Sequence, residues 1–124
     1  AREALESGSY DAVIFTEMVE LKDAIRYHDS AAMLANWANL ARKANPDVRL
    51  YLYETWHRLD DPAGWLTRID TDRAALWENQ ILGPAIAQSG PIYLIPAGQT
   101  LAAATRMAEA GALPGIPDRK AFFT

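Results

Sequence analysis

Short apolar runs alternate along this chain with longer stretches in which apolar residues recur every three or four positions. Three runs stand out: Ala12-Val13-Ile14-Phe15, Val48-Arg49-Leu50-Tyr51-Leu52-Tyr53 and Ile92-Tyr93-Leu94-Ile95. Their length and their β-branched and aromatic side chains predict strands. The first and third are apolar almost throughout, the pattern of parallel strands covered on both faces. From Asp29-Ser30, a helix start, Leu34, Trp37, Ala38, Ala41 and Ala44 recur at helical spacing until Asn45-Pro46-Asp47 stops the helix. A second helix is expected from Asp70-Thr71, with Ala74, Trp77, Ile81 and Ala85 on one stripe and Pro84 kinking or restarting it before Ser89-Gly90. A third is expected over Thr100 to Ala110, with Leu101, Thr105 and Ala108 on one face and Gly111 as left-handed terminator.

This order, strand then helix three times over, predicts an α/β fold: a parallel sheet built from right-handed βαβ units with helices on its faces. Three strands make a small sheet. The polar start Arg2-Glu3-Ala4-Leu5-Glu6-Ser7-Gly8 has no glycine-rich first turn, and Phe122-Phe123 are aromatics that favour burial just before Thr124. Residues 1–124 are therefore expected to form a single, partial domain.

Composition narrows the function. The chain has 124 residues, 50% hydrophobic content and a formal net charge of −4 from 16 acidic and 12 basic residues, which fits one globular unit. Without a Lys/Arg cluster the acidic balance argues against a nucleic-acid face. No apolar run approaches the roughly 20 residues needed to cross a bilayer, so no membrane span is expected. The absence of cysteine excludes a disulfide framework, a thiolate nucleophile and cysteine-bound metal.

In an open parallel sheet, ligands bind beyond the carboxyl ends of the strands. The residues there are Thr16-Glu17, Glu54-Thr55-Trp56-His57 and Pro96-Ala97-Gly98-Gln99, which makes Glu17, Glu54, His57 and Gln99 the candidate site residues. Each carboxylate has a plainer role as a cap on the amides of a following helix. Glu54-x-x-His57 has the spacing of metal ligands on a helix, but here it leaves a strand, so that spacing loses its geometric meaning. The segment from Thr55 to Ile69 is long beside the usual connection of about two to six residues. Its Trp56 and Trp65 could stack on a ligand or pack beneath the loop. His28-Asp29-Ser30 holds the residue types of a hydrolytic triad, yet sequence neighbours cannot meet in triad geometry, and the trio reads as a helix start.

The run Tyr10 to Glu17, the run Asn45 to His57 and the run Ile92 to Gln99 together resemble the middle of SGNH (GDSL-like) hydrolases, over nearly the whole chain. The resemblance implies a three-layer flavodoxin-like sheet with helices on both faces and hydrolysis of acyl esters, often on carbohydrates or lipids. In that family a Gly-Asp-Ser block bears the nucleophile and a closing Asp-x-x-His bears the base. This sequence has neither block, nor Gly-x-Asn-Asp; the corresponding strand ends in Thr16-Glu17. The stretch from Lys120 to Thr124 resembles the approach to Asp-x-x-His. The resemblance thus implies an internal segment with no catalytic residue of its own, in which Glu17, Glu54, Trp56, His57 and Gln99 line the substrate pocket. No metal or other cofactor is expected.

Two further readings remain open from the residues: a non-catalytic module that binds a sugar or other small ligand, and a hydrolase that uses Glu17, Glu54 and His57 with water or a metal. The expected partners are a small-molecule ester or carbohydrate and either a second copy or a complementary fragment, because an incomplete sheet leaves an open edge.

Overall fold

The computed structural model describes residues 1–123, and the part of the Lys120–Thr124 reading that falls on Thr124 lies outside them. Strands β1 (Ala12–Thr16), β2 (Arg49–Tyr53) and β3 (Tyr93–Ile95) form one parallel sheet in the order β1-β2-β3. The register pairs Ile14 with Tyr51 and Tyr51 with Tyr93, and the last rung joins Thr16, Tyr53 and Ile95. All three strands therefore end at one edge.

Among the described residues six α-helices accompany them: α1 (Arg2–Glu6), α2 (Leu21–His28), α3 (Ser30–Ala44), α4 (Trp65–Asp72), α5 (Gly83–Ser89) and α6 (Ala97–Glu109). A π-helical stretch, Arg73–Leu82, links α4 to α5, and a 3-10 turn spans Arg119–Phe123. No helix among the described residues is long and apolar enough to cross a membrane.

The core follows from the alternation along β2. Leu50 and Leu52 point inward and are almost wholly buried, beside Val13 and Phe15 of β1 and Leu94 of β3. Above them lie Leu34, Ala38 and Ala41 of α3, then Trp77 and Ile81 of the π stretch and Ala85 of α5. Burial of each such leucine contributes about 1.5–3 kcal/mol relative to exposure. Arg42 near the end of α3 donates to the carbonyls of Ser89 and Pro91, which satisfies backbone acceptors at the end of α5 and just after it and ties down the approach to β3.

Several expectations change. The second helix starts at Trp65, five residues before Asp70, because Trp65 and Ile69 already form an apolar stripe that packs on Ala102 of α6. The β2–α4 connection is correspondingly shorter than the Thr55–Ile69 loop expected. Ala74 is exposed rather than on the buried stripe, since the wider π turn alters the phase that straight 3.6-residue spacing assumes. Pro84 is the second residue of α5, where its missing N–H costs little, and the π stretch hands over to α-helix there. Helix α6 begins three residues before Thr100, and Gly111, at φ +78°, follows its end as expected.

Helices on both faces were expected, and this is corrected for the central row of the sheet. The outer face carries Ile14 and Tyr93, 60% and 63% exposed, with the half-buried Tyr51 between them. The cause is topological. Successive strands step in one direction, so right-handed crossovers place both β1–β2 and β2–β3 connections on the same side. The first and third runs are apolar because one face of each is core and the other is bare.

Candidate functional site

The shared carboxyl edge holds three distinct arrangements, one for each strand end. At the end of β2, Glu54 is fully buried. Its Oε1 accepts the backbone N–H of Gln99 at 2.9 Å and its Oε2 accepts the Gln99 side-chain amide at 3.1 Å. The same amide donates to the Ile69 carbonyl at 2.8 Å. Pro96, the residue before α6, offers no side-chain cap, so the carboxylate of Glu54 meets an early amide of that helix in its place. Gly98 lets the two approach: a Cβ there would collide with Ile69 Cδ1 and stand 2.7 Å from the Thr55 carbonyl oxygen. Glu54 and Gln99 are thus brought together, and they use their polar atoms on each other.

His57 is buried three residues on. Its Nε2 lies 2.7 Å from Asp72 Oδ2 of α4, and its Nδ1 approaches Glu20 Oε1 at 3.3 Å without hydrogen-bond alignment. Glu20 also accepts from Arg68 at 2.5 Å, and Arg68 pairs with Asp61 at 3.0 Å. The Arg68 hydrogen bond holds the Glu20 carboxyl below its ordinary value of 4.5. Burial pushes the Asp61 carboxyl up, but the Arg68 and Ala63 donors outweigh it and the net direction is down. Glu20, His57 and Asp61 line a cavity of about 230 Å³ that Arg58, Asp60 and Pro62 complete.

At the end of β1, Glu17 is half-buried. Ser30 Oγ donates to its Oε2 at 2.7 Å, and the Met18 N–H donates to its Oε1 at 2.8 Å. Among the described residues no Lys, Arg or His forms an ion pair with it. Glu17 and Ser30 line a cavity of about 130 Å³ with Thr16, Phe15, Met33 and Trp37. A wider groove of about 560 Å³ shares Phe15, Thr16 and Trp37 and follows the outer edge of β1 past Leu5 and Tyr10.

The tryptophans of the β2–α4 region differ in access. Trp65 is fully buried, with Arg119 5.6 Å from its ring, whereas the half-buried Trp56 ring tilts against Phe123. Packing beneath the loop is therefore the outcome for Trp65. Glu17, Glu54 and His57 have separate partners and share no hydrogen bond. Among the described residues no group of three or more His, Cys, Asp or Glu is arranged to hold a metal ion.

Asp72, Glu20, Arg68 and Ser30 complete these arrangements but were not among the sequence candidates. For Asp72 a signal was present. Trp65, Ile69, Asp72 and Leu76 recur at one helical face, and an acidic residue on an otherwise apolar stripe implies a buried partner. Ser30 does open α3, but its hydroxyl turns to Glu17, and Asp29 before it makes no side-chain cap. Comparisons with protein-family models, with curated proteins and with solved structures find no match.

Proposed function

We propose that this chain is part of an SGNH-like ester hydrolase, forming the strand-end wall of the substrate site while the nucleophile and its base come from residues outside these 124. The observation that carries the reading is the parallel sheet whose three strands bring Glu17, Glu54, His57 and Gln99 to one carboxyl edge, with β1 open beside an apolar groove. A strand added along β1 would complete a flavodoxin-like sheet. With its helix on the bare face, the strand order would reverse there, and that reversal creates the crevice in which open α/β sheets bind ligands. A serine after such a strand would stand next to Glu17. Trp56, exposed in part at the same region, remains in the proposed wall.

Ester hydrolysis by this route needs an activated serine, an oriented histidine and donors aimed at the oxyanion. Among the described residues the buried His57–Asp72 pair has no serine partner, and Ser30, which meets a strand-end group, donates to Glu17. Hydrolysis of aryl acetates tests the reading. The 124-residue chain should match the buffer rate with and without divalent cations, and a longer chain with Gly-Asp-Ser upstream and Asp-x-x-His downstream should hydrolyse the ester. A longer chain that has neither block, or has both and is inert to esters, overturns it.

A further inference from the structure

We propose that the small cavity beneath Glu17 is a binding site for a primary alkylammonium ion, an inference that stands whether or not any ester is hydrolysed. The argument rests on where the side-chain protons go. Ser30 Oγ donates to Glu17, and Thr16 Oγ1 donates to the Tyr53 carbonyl at 3.1 Å. The side chains of Glu17, Ser30 and Thr16 thus have only lone pairs left to offer, and these three present acceptors to the cavity. Trp37 carries the one remaining side-chain donor on that lining.

Such a wall selects by hydrogen-bond polarity. A carboxylate brings acceptors to acceptors, and an alcohol brings a single proton and leaves the charge of Glu17 uncompensated. An ammonium brings three donors and no acceptor, and it supplies the positive charge that no described residue gives Glu17. A guanidinium is served less well, because its planar fork favours two free carboxylate oxygens and each Glu17 oxygen already accepts an internal donor. The remaining lining fits the rest of such a ligand. Phe15 and Trp37 provide aromatic surface, which attracts cations, and Met33 and Leu34 provide apolar surface for a chain. The 130 Å³ cavity is close to the apolar cavity of about 150 Å³ that takes up benzene, so a short alkylamine of about five non-hydrogen atoms fits.

The test is an NMR titration of the whole chain, following amide and indole signals, with n-butylammonium chloride as the probe and n-butanol and sodium butyrate as comparisons. Butylammonium should shift the Trp37 indole and Met18 amide signals saturably, while butanol and butyrate leave them in place. Glu17→Gln should weaken butylammonium binding by about tenfold or more, the equivalent of one hydrogen bond to a charged group. If Glu17→Gln loses its dispersed spectrum, Trp37→Leu, which keeps the carboxylate, should weaken binding several-fold. Equal shifts from butanol or butyrate, no saturable shift from butylammonium, or unchanged affinity in the folded variants overturns the proposal.

Discussion

Glu54 and Glu17 both come directly after an apolar strand in the sequence, and the fold gives them opposite fates. Glu54 is sealed: both of its oxygens are engaged by Gln99, and Gly98 leaves room for nothing else. Glu17 is held by Ser30 and Met18, but it opens on a cavity, and among the described residues no cation pairs with it. The difference comes from the surroundings of each strand end. After β2 the chain turns under the start of α6 and meets its amides, whereas β1 stands at the edge of the sheet with a neighbour on one side only. A strand-end carboxylate is thus closed off where a helix start lies directly over it and stays open to a cavity where its strand is at the edge of the sheet.

The sharpest way to break that contrast is to truncate both carboxylates. Glu54→Ala takes the acceptor from the Gln99 backbone N–H and from one proton of its side-chain amide, the other still donating to Ile69, and each unmet donor costs about 1–3 kcal/mol. Glu17→Ala removes a half-buried acceptor that opens on a cavity, and only the Ser30 hydroxyl is left buried without it while the Met18 N–H is exposed, so its loss should be the smaller, about 1 kcal/mol. Urea denaturation measures both, and equal losses would erase the distinction. Next in size is Gly98→Ala, which forces Ile69 or the Thr55 carbonyl aside and should cost about 1–3 kcal/mol through overpacking. A neutral Gly98→Ala in the same experiment would mean that the Glu54 corner is looser than its geometry implies.

The smallest effect concerns pH. The depressed carboxyls of Glu20 and Asp61 favour the folded state at pH values above their ordinary 4.5 and 3.8, and that contribution falls away as acid protonates them in the folded chain. Because Glu20 is about half exposed, the effect is modest and screened by salt. Arg68→Met should flatten the acid limb of the stability curve, read as the melting temperature from pH 6 downward. An unchanged acid limb would show that the Arg68 pairs contribute nothing to folding.

The strands and α3 were legible because their signals are local: β-branched and aromatic runs for the sheet, and the Leu34–Ala41 periodicity bounded by Asn45-Pro46 for the helix. Helix α2 escaped the pattern although Leu21, Ala24, Ile25 and His28 fall at helical spacing, because about two turns of weak signal sit among charges. The parallel direction of the strands followed from the helices between them, and with it the common edge. Local pattern could not reveal which strand-end groups would meet. Gln99 bonds a residue 45 positions away, and His57 bonds one 15 positions away in a helix that starts earlier than its spacing suggested. The side on which the helices would lie depended on strand order, which no single segment encodes.

The unshielded Ile14–Tyr51–Tyr93 row gives the molecule two unlike sides, one flat and oily and the other helical and rich in charge. Apolar side chains stand in water there instead of under a helix, so contact with another apolar surface is the gain that this side of the sheet leaves open.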